Sequence, residues 1–246
     1  MRYGLIADIH ANLAALDAAL AALRAADVER FVCAGDIVGY GPQPNECIEI
    51  LRGLEGPCVA GNHELILLGR LPEQGIHPWA AKTLAWTRGQ LTAENRTWLE
   101  ALPLREDTPE GITVAHGALD DTRTYVKSEE QAAEQLAALT ASRVLVLGHT
   151  HVQMRFEQAG RLLVNPGAVG QSRERRIMAS AAVLEHEAGS VRFVSVPYDT
   201  RATRRELRRR SLPPRTYRLR PSAARRLWVR LPLGLRDVVK RVLRRS

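Results

Sequence analysis

Five short polar segments, each set directly behind a short apolar run, constrain this chain more than anything else in it. In order they are Asp8-Ile9-His10, Gly35-Asp36, Gly61-Asn62-His63-Glu64, His116-Gly117 and Gly148-His149-Thr150-His151. An apolar run that ends in a polar or glycine-bearing turn reads as a buried strand delivering side chains to the carboxyl edge of a sheet. That edge is where α/β proteins keep their ligands. Asp36 alone would pass for a turn or N-cap residue, because Asp is common in both. Repetition removes that explanation: His10, His63, His116, His149 and His151 all fall in these segments, beside Asp8, Asp36 and Asn62.

The intervening sequence fits an α/β chain. Residues 2–7 and 30–34 read as strands, and 12–26 and 44–52 as helices, with Asn12 as an N-cap and Pro44 in a first turn. Pro57 to Ala60 reads as a short third strand, so the opening is βαβαβ, parallel with right-handed crossovers. Residues 62–102 turn helical, over 64–69, 78–88 and 93–101, and read as an insertion above the site. Strands return at 103–107, 112–116, 143–147, 152–157, 161–164, 178–186 and 191–196, with a helix at 128–138 and another at 200–210. The turns Gln158-Ala159-Gly160 and Glu187-Ala188-Gly189 predict hairpins, hence a second half built on a mixed or antiparallel sheet.

A length of 246 residues suffices for one large core. No apolar stretch approaches the roughly 20 residues that span a bilayer, and the N-terminus enters a strand without a signal-peptide pattern, so a cytoplasmic location is expected. Cys33, Cys47 and Cys58 follow no zinc or redox spacing and read as packing residues. The net charge of +8 is unevenly placed: residues 201–246 carry +15, which leaves −7 for residues 1–200.

Imidazole nitrogen mixed with carboxylate and carboxamide oxygen suits borderline to hard divalent ions, with no thiolate among the donors. Asp8, His10, Asp36, Asn62, His116, His149 and His151 are too many donors for one ion and match two that share a carboxylate. Paired ions about 3.5–4 Å apart polarise a phosphoryl group and acidify the attacking water. The chemistry expected is hydrolysis of a phosphate ester.

The ordered motifs Asp8-x-His10, Gly35-Asp36, Gly61-Asn62-His63-Glu64, His116 and Gly148-His149-x-His151 resemble the calcineurin-like metallophosphoesterase signature, over residues 1 to about 200. Gly39-Tyr40-Gly41-Pro42 and Asn165-Pro166-Gly167-Ala168-Val169-Gly170 are similar to its small single-domain, YfcE-type branch. The resemblance implies a four-layer α/β/β/α sandwich of two mixed sheets in a domain ending near residue 214, with the metal site at the strand ends. It further implies that Asp8, His10 and His151 hold one divalent ion, that Asn62, His116 and His149 hold the other, and that Asp36 bridges them. Manganese is the expected metal, with iron, zinc or nickel as alternatives. His63 would bind the phosphate or protonate the leaving oxygen, a role imidazole can fill. Asn12 would reach the phosphate or cap its helix, and Tyr40 would line the leaving-group pocket or pack the loop. The turn at Asn165–Gly170 would support the histidine loop.

One departure bears on substrate. Protein phosphatases of this superfamily, and related bacterial dinucleoside tetraphosphatases, carry an Arg shortly after the bridging Asp, and the former also place an Asp before it; here Gly39 and Tyr40 stand at these positions. A guanidinium fork grips a terminal phosphate dianion. Its absence points to phosphodiesters, of nucleotide or nucleic-acid type, before phosphomonoesters, and a scaffold that has kept the fold for binding is the other class weighed.

The segment 215–246 is expected to be a basic tail. Leu235, Val238, Val239, Val242 and Leu243 form one apolar helical stripe among Lys240, Arg241, Arg244 and Arg245. Such a helix fits docking on its own acidic domain or a second subunit, as in a homo-oligomer, attraction to nucleic acid, or attachment to an anionic membrane surface.

Overall fold

The computed structural model describes residues 1–174 and 176–219. Its first half runs β1 (Arg2–Ile6), α1 (Leu13–Arg24), β2 (Arg30–Cys33), α2 (Pro44–Arg52), α3 (Asn62–Leu67), α4 (Pro78–Arg88) and α5 (Ala93–Ala101). The second half runs β3 (Arg105–Asp107), β4 (Ile112–Ala115), α6 (Glu129–Ala137), β5 (Val144–Val146), β6 (Gln153–Gln158), β7 (Arg161–Pro166), β8 (Ala179–Glu185), β9 (Ser190–Val196) and α7 (Thr200–Arg209).

Two mixed sheets result, in the orders β2-β1-β8-β9 and β3-β4-β5-β7-β6. The β1–β2, β4–β5 and β5–β7 pairs are parallel and the others antiparallel. Strand side chains alternate between faces, and the two faces serve different cores. Leu5, Ala182, Leu184, Val114, Val146 and Val164 meet between the sheets. From the same strands, Ile6, Ala181 and Val183 pack under α1 and α2, while Ala115, Leu145 and Leu163 pack under α6. The layers are therefore helix, sheet, sheet, helix, as expected.

The segment expected as a third strand is not one. It lies beside β2, with the Phe31 and Cys33 amides donating to the carbonyls of Glu55 and Pro57, but only the Cys33–Cys58 pair forms a bridge. Pro57 has no N–H to give, and Gly56 turns the backbone at φ +134°. The packed chain also runs past residue 214: Thr216 and Tyr217 are buried, Tyr217 against Leu207 and Leu212, and Arg218 bridges to Ser172. The apolar stripe at residues 235–243 lies outside the described residues. No helix among the described residues is long and apolar enough to cross a membrane.

Candidate metal centre

The five polar segments converge at one end of the two sheets. The amides of Asp8, His10 and Ala11 donate to the carbonyls of Gly35, Asp36 and Ile37 at 2.9, 2.9 and 2.7 Å, so the loops after β1 and β2 run side by side. Asp8, His10, Ala11, Asp36, Tyr40, His149 and His151 all hold φ between +49° and +66°. Left-handed backbone is unfavourable for residues with a Cβ and collects at functional sites where the surroundings enforce it. Glu64 supplies much of that enforcement. Its buried carboxylate accepts from the amides of Asp36, Ile37, Val38 and Gly61 at 2.7–3.0 Å, joining the loop after β2 to the start of α3. On the other sheet, the Asn165 amide donates to Gly148 O and Thr150 Oγ1, bracing the histidine loop.

Two groups of donors result. Donor atoms of Asp8, His10, Asp36 and His151 lie within 4.8 Å of one another, as do those of Asp36, His116 and His149, and Asp36 belongs to both groups. His151 Nε2 is 3.2 Å from Asp8 Oδ1, and His116 Nε2 is 3.3 Å from Asp36 Oδ2. Asn62 joins the second group, with Oδ1 at 3.2 Å from His116 Nε2. None of these side chains belongs to a residue more than 7% exposed.

The chemistry of this donor set fits divalent metal. Nδ1 of His10, His116 and His151 bonds to the carbonyls of Val38, Ala34 and Gln171, and Nε2 of His149 bonds to that of Arg123. A carbonyl only accepts, so each ring donates there and turns its other nitrogen inward, the outer-shell arrangement of metal-ligating histidines. Nε2 of His10 and of His151 then face each other at 3.2 Å, both as acceptors, which a cation resolves. Asp8 Oδ2 is likewise buried without a hydrogen-bond partner among the described residues.

The protein's own charges polarise the site. Burial would raise the Asp8 carboxyl, but His151 beside it holds its pKa at about 2. Burial would lower His116, yet the Asp36 and Asp8 carboxylates and the Ala34 carbonyl push it up to about 10. Burial and the neighbouring His116 take His149 down to about 3.

The sequence family described as the calcineurin-like phosphoesterase superfamily domain matches residues 1–189. This chain belongs to that superfamily. It is a metallophosphoesterase, a hydrolase acting on phosphate esters. Its structure is similar to that of a metallophosphoesterase from Sphaerobacter thermophilus, with 35% identity, 88% of this chain and 96% of that one covered, and a TM-score of 0.77. A hypothetical protein from Pyrococcus horikoshii shares the fold at 21% identity, with the same coverage and a TM-score of 0.79. An uncharacterized protein from Methanocaldococcus jannaschii is 29% identical over 224 residues, 85% of this chain and 92% of that protein.

Three further residues expected at this metallophosphoesterase centre occupy different settings. His63 is buried beside Asp36, with Nε2 3.9 Å from Asp36 Oδ2, and burial lowers its pKa. Its Nδ1 has no hydrogen-bond partner among the described residues and lies against Gly39. Tyr40 packs its ring against His10 and His63, at 4.8 and 5.0 Å between centroids. Asn12 stands at the N-cap position of α1 but its side chain does not cap the helix, a correction to that expectation. Its Nδ2 donates to Gly170 O and the Tyr198 hydroxyl, and its Oδ1 accepts from Thr203 Oγ1, which stitches the Gly170 turn to α7. The clasp made by Glu64 was not foreseen, although the Gly61 to Glu64 spacing is that of a capping box and carried the signal.

Proposed function

We propose that this metallophosphoesterase hydrolyses phosphodiesters at a centre of two divalent ions, manganese in the first instance. In this reading Asp8, His10 and His151 hold one ion, Asn62, His116 and His149 the other, and Asp36 both. The observation that carries it is the sharing of Asp36 between the two donor groups. When bound, such ions supply Lewis-acid activation of the phosphoryl group and an acidified attacking water.

The protein's own residues supply the rest. Glu64 fixes the loop that presents Asp36, and the carbonyls of Val38, Ala34, Gln171 and Arg123 fix the histidine rings. His63 hydrogen-bonds the phosphate or gives a proton to the leaving oxygen from Nε2, the nitrogen that faces Asp36. Tyr40 walls the leaving-group side. Preference for diesters is supported by the loop after Asp36, where Tyr40 stands at the position of the guanidinium that grips a terminal dianion.

The test is hydrolysis of bis(p-nitrophenyl) phosphate against p-nitrophenyl phosphate by full-length protein stripped of metal and refilled with manganese. Diester turnover is expected to exceed monoester turnover. Asp36→Asn is expected to lose about a hundredfold or more in rate while its circular dichroism stays native. Comparable monoester turnover would transfer the reading to phosphomonoesters, and an active Asp36→Asn would remove the site assignment.

A further inference from the structure

The segment that follows the last histidine carries a cation with no part in the reading above. The carbonyl of Gln171 takes Nδ1 of His151 at 2.7 Å, so this segment is fastened to the donor set. Arg173 donates from Nε to Gln171 Oε1 and from Nη1 to the Tyr125 hydroxyl, both at 3.4 Å. Both partners are neutral, and both bonds are long for a guanidinium. Tyr125 lies flat on His149, with centroids 4.0 Å apart and planes 26° apart, and the Lys127 ammonium stands 3.6 Å from the Tyr125 ring centre. Gln171 is fully buried, and its Nε2 has no hydrogen-bond acceptor among the described residues.

These facts describe a built site rather than a surface arginine. A buried amide donor left unsatisfied costs about 1–3 kcal/mol, so a ligand that accepts from it is favoured. A guanidinium held, among the described residues, only by neutral oxygens keeps its fork available to an anion, and phosphate matches that fork. The Arg173 charge is felt at Tyr40 and, from the helical insertion, at His77. The guanidinium carbon stands 5.9 Å from the centre of the Tyr125 ring, and that ring rests on His149. The guanidinium therefore addresses the group next along a substrate, rather than oxygens on the phosphorus under attack.

We propose that Gln171 and Arg173, with Lys127 adding positive charge, form a subsite for a second phosphate, one bridging oxygen away from the phosphorus under attack. The selected substrates are esters or anhydrides that carry consecutive phosphates, a narrower class than diesters at large. The proposal rests on the phosphodiester reading, because an internal anhydride phosphorus is substituted on two sides as a diester is.

Calorimetric titration of manganese-loaded full-length protein reads this subsite without turnover. The probe is adenosine 5′-(α,β-methylene)diphosphate, which is non-hydrolysable, and adenosine 5′-monophosphate is the one-phosphate control. The wild type is expected to bind the diphosphate at least about tenfold more tightly than the control. Arg173→Ala is expected to lose that margin, and Arg173→Lys to keep part of it, since an ammonium retains the charge without the fork. Equal affinity for the two nucleotides in the wild type, or a margin that survives Arg173→Ala, overturns the subsite. Hydrolysis of bis(p-nitrophenyl) phosphate is followed in parallel; its absence in the wild type removes the diester reading, and the calorimetry still decides the subsite on its own.

Discussion

A methyl group added at Gly39 would stand 2.2 Å from Nδ1 of His63, and the backbone there holds φ +83°. Gly39→Ala must therefore displace the imidazole or the loop, and a misplacement near 1 Å costs on the order of a hundredfold in rate. A fall of that size in kcat, with metal affinity retained, is the expected outcome; an unchanged kcat would mean that His63 takes no part in the chemistry. Asn12 makes the opposite kind of prediction. Its carboxamide serves three protein partners, so Asn12→Ala leaves buried groups at Gly170 and Thr203 unpaired and is expected to cost about 1–3 kcal/mol in urea unfolding. A variant with native stability and poor substrate affinity would restore Asn12 as a phosphate ligand.

The start of α3 and the loop after β2 are one unit because a single carboxylate takes amides from both. Burial and the Asp36 charge push the Glu64 pKa up to about 7, against the pull of the Val38 and Gly61 amides. In Glu64→Gln, the amide nitrogen would point donors at donors, so two of the four bonds are lost at least. A destabilisation of about 3 kcal/mol is expected, with metal affinity down about ten- to a hundredfold. Urea unfolding and metal titration check both, and if neither moves, the clasp is not what holds Asp36. Much of the element plan was legible because local chemistry marks the ends: Pro44 and Pro78 open α2 and α4, and Thr92 caps α5. Pro57 misled, since its segment has a strand's apolar content without a strand's donors. The convergence of Asp8, Asp36, His116 and His149 could be read because each follows a strand that ends at one edge. Tyr125, Gln171 and Arg173 could not: Arg173 meets Tyr125 across 48 residues, the Gln171 carbonyl meets His151 across 20, and no motif marks any of the three.

Across the whole molecule, pH links folding to metal. His116 has a folded pKa of about 10 against an ordinary 6.5, so the folded state holds its proton more tightly than the unfolded chain does. The resulting stability is present in full below about pH 6.5 and is lost as pH rises through about 10. For chelator-treated protein, a decline of roughly 1.4 kcal/mol per pH unit is expected between pH 7 and 9. Metal competes with that proton, so the manganese-loaded protein is expected to show a flatter profile in the same window. Parallel profiles for the two forms in thermal melts would exclude His116 as a ligand. The last described residues add a geometric consequence. The Leu219 amide donates to the Ser172 carbonyl at 3.3 Å, one residue after the Gln171 carbonyl that holds the His151 ring. That bond ties the end of the described chain to the segment that aims His151, so loosening one end slackens the grip on the other.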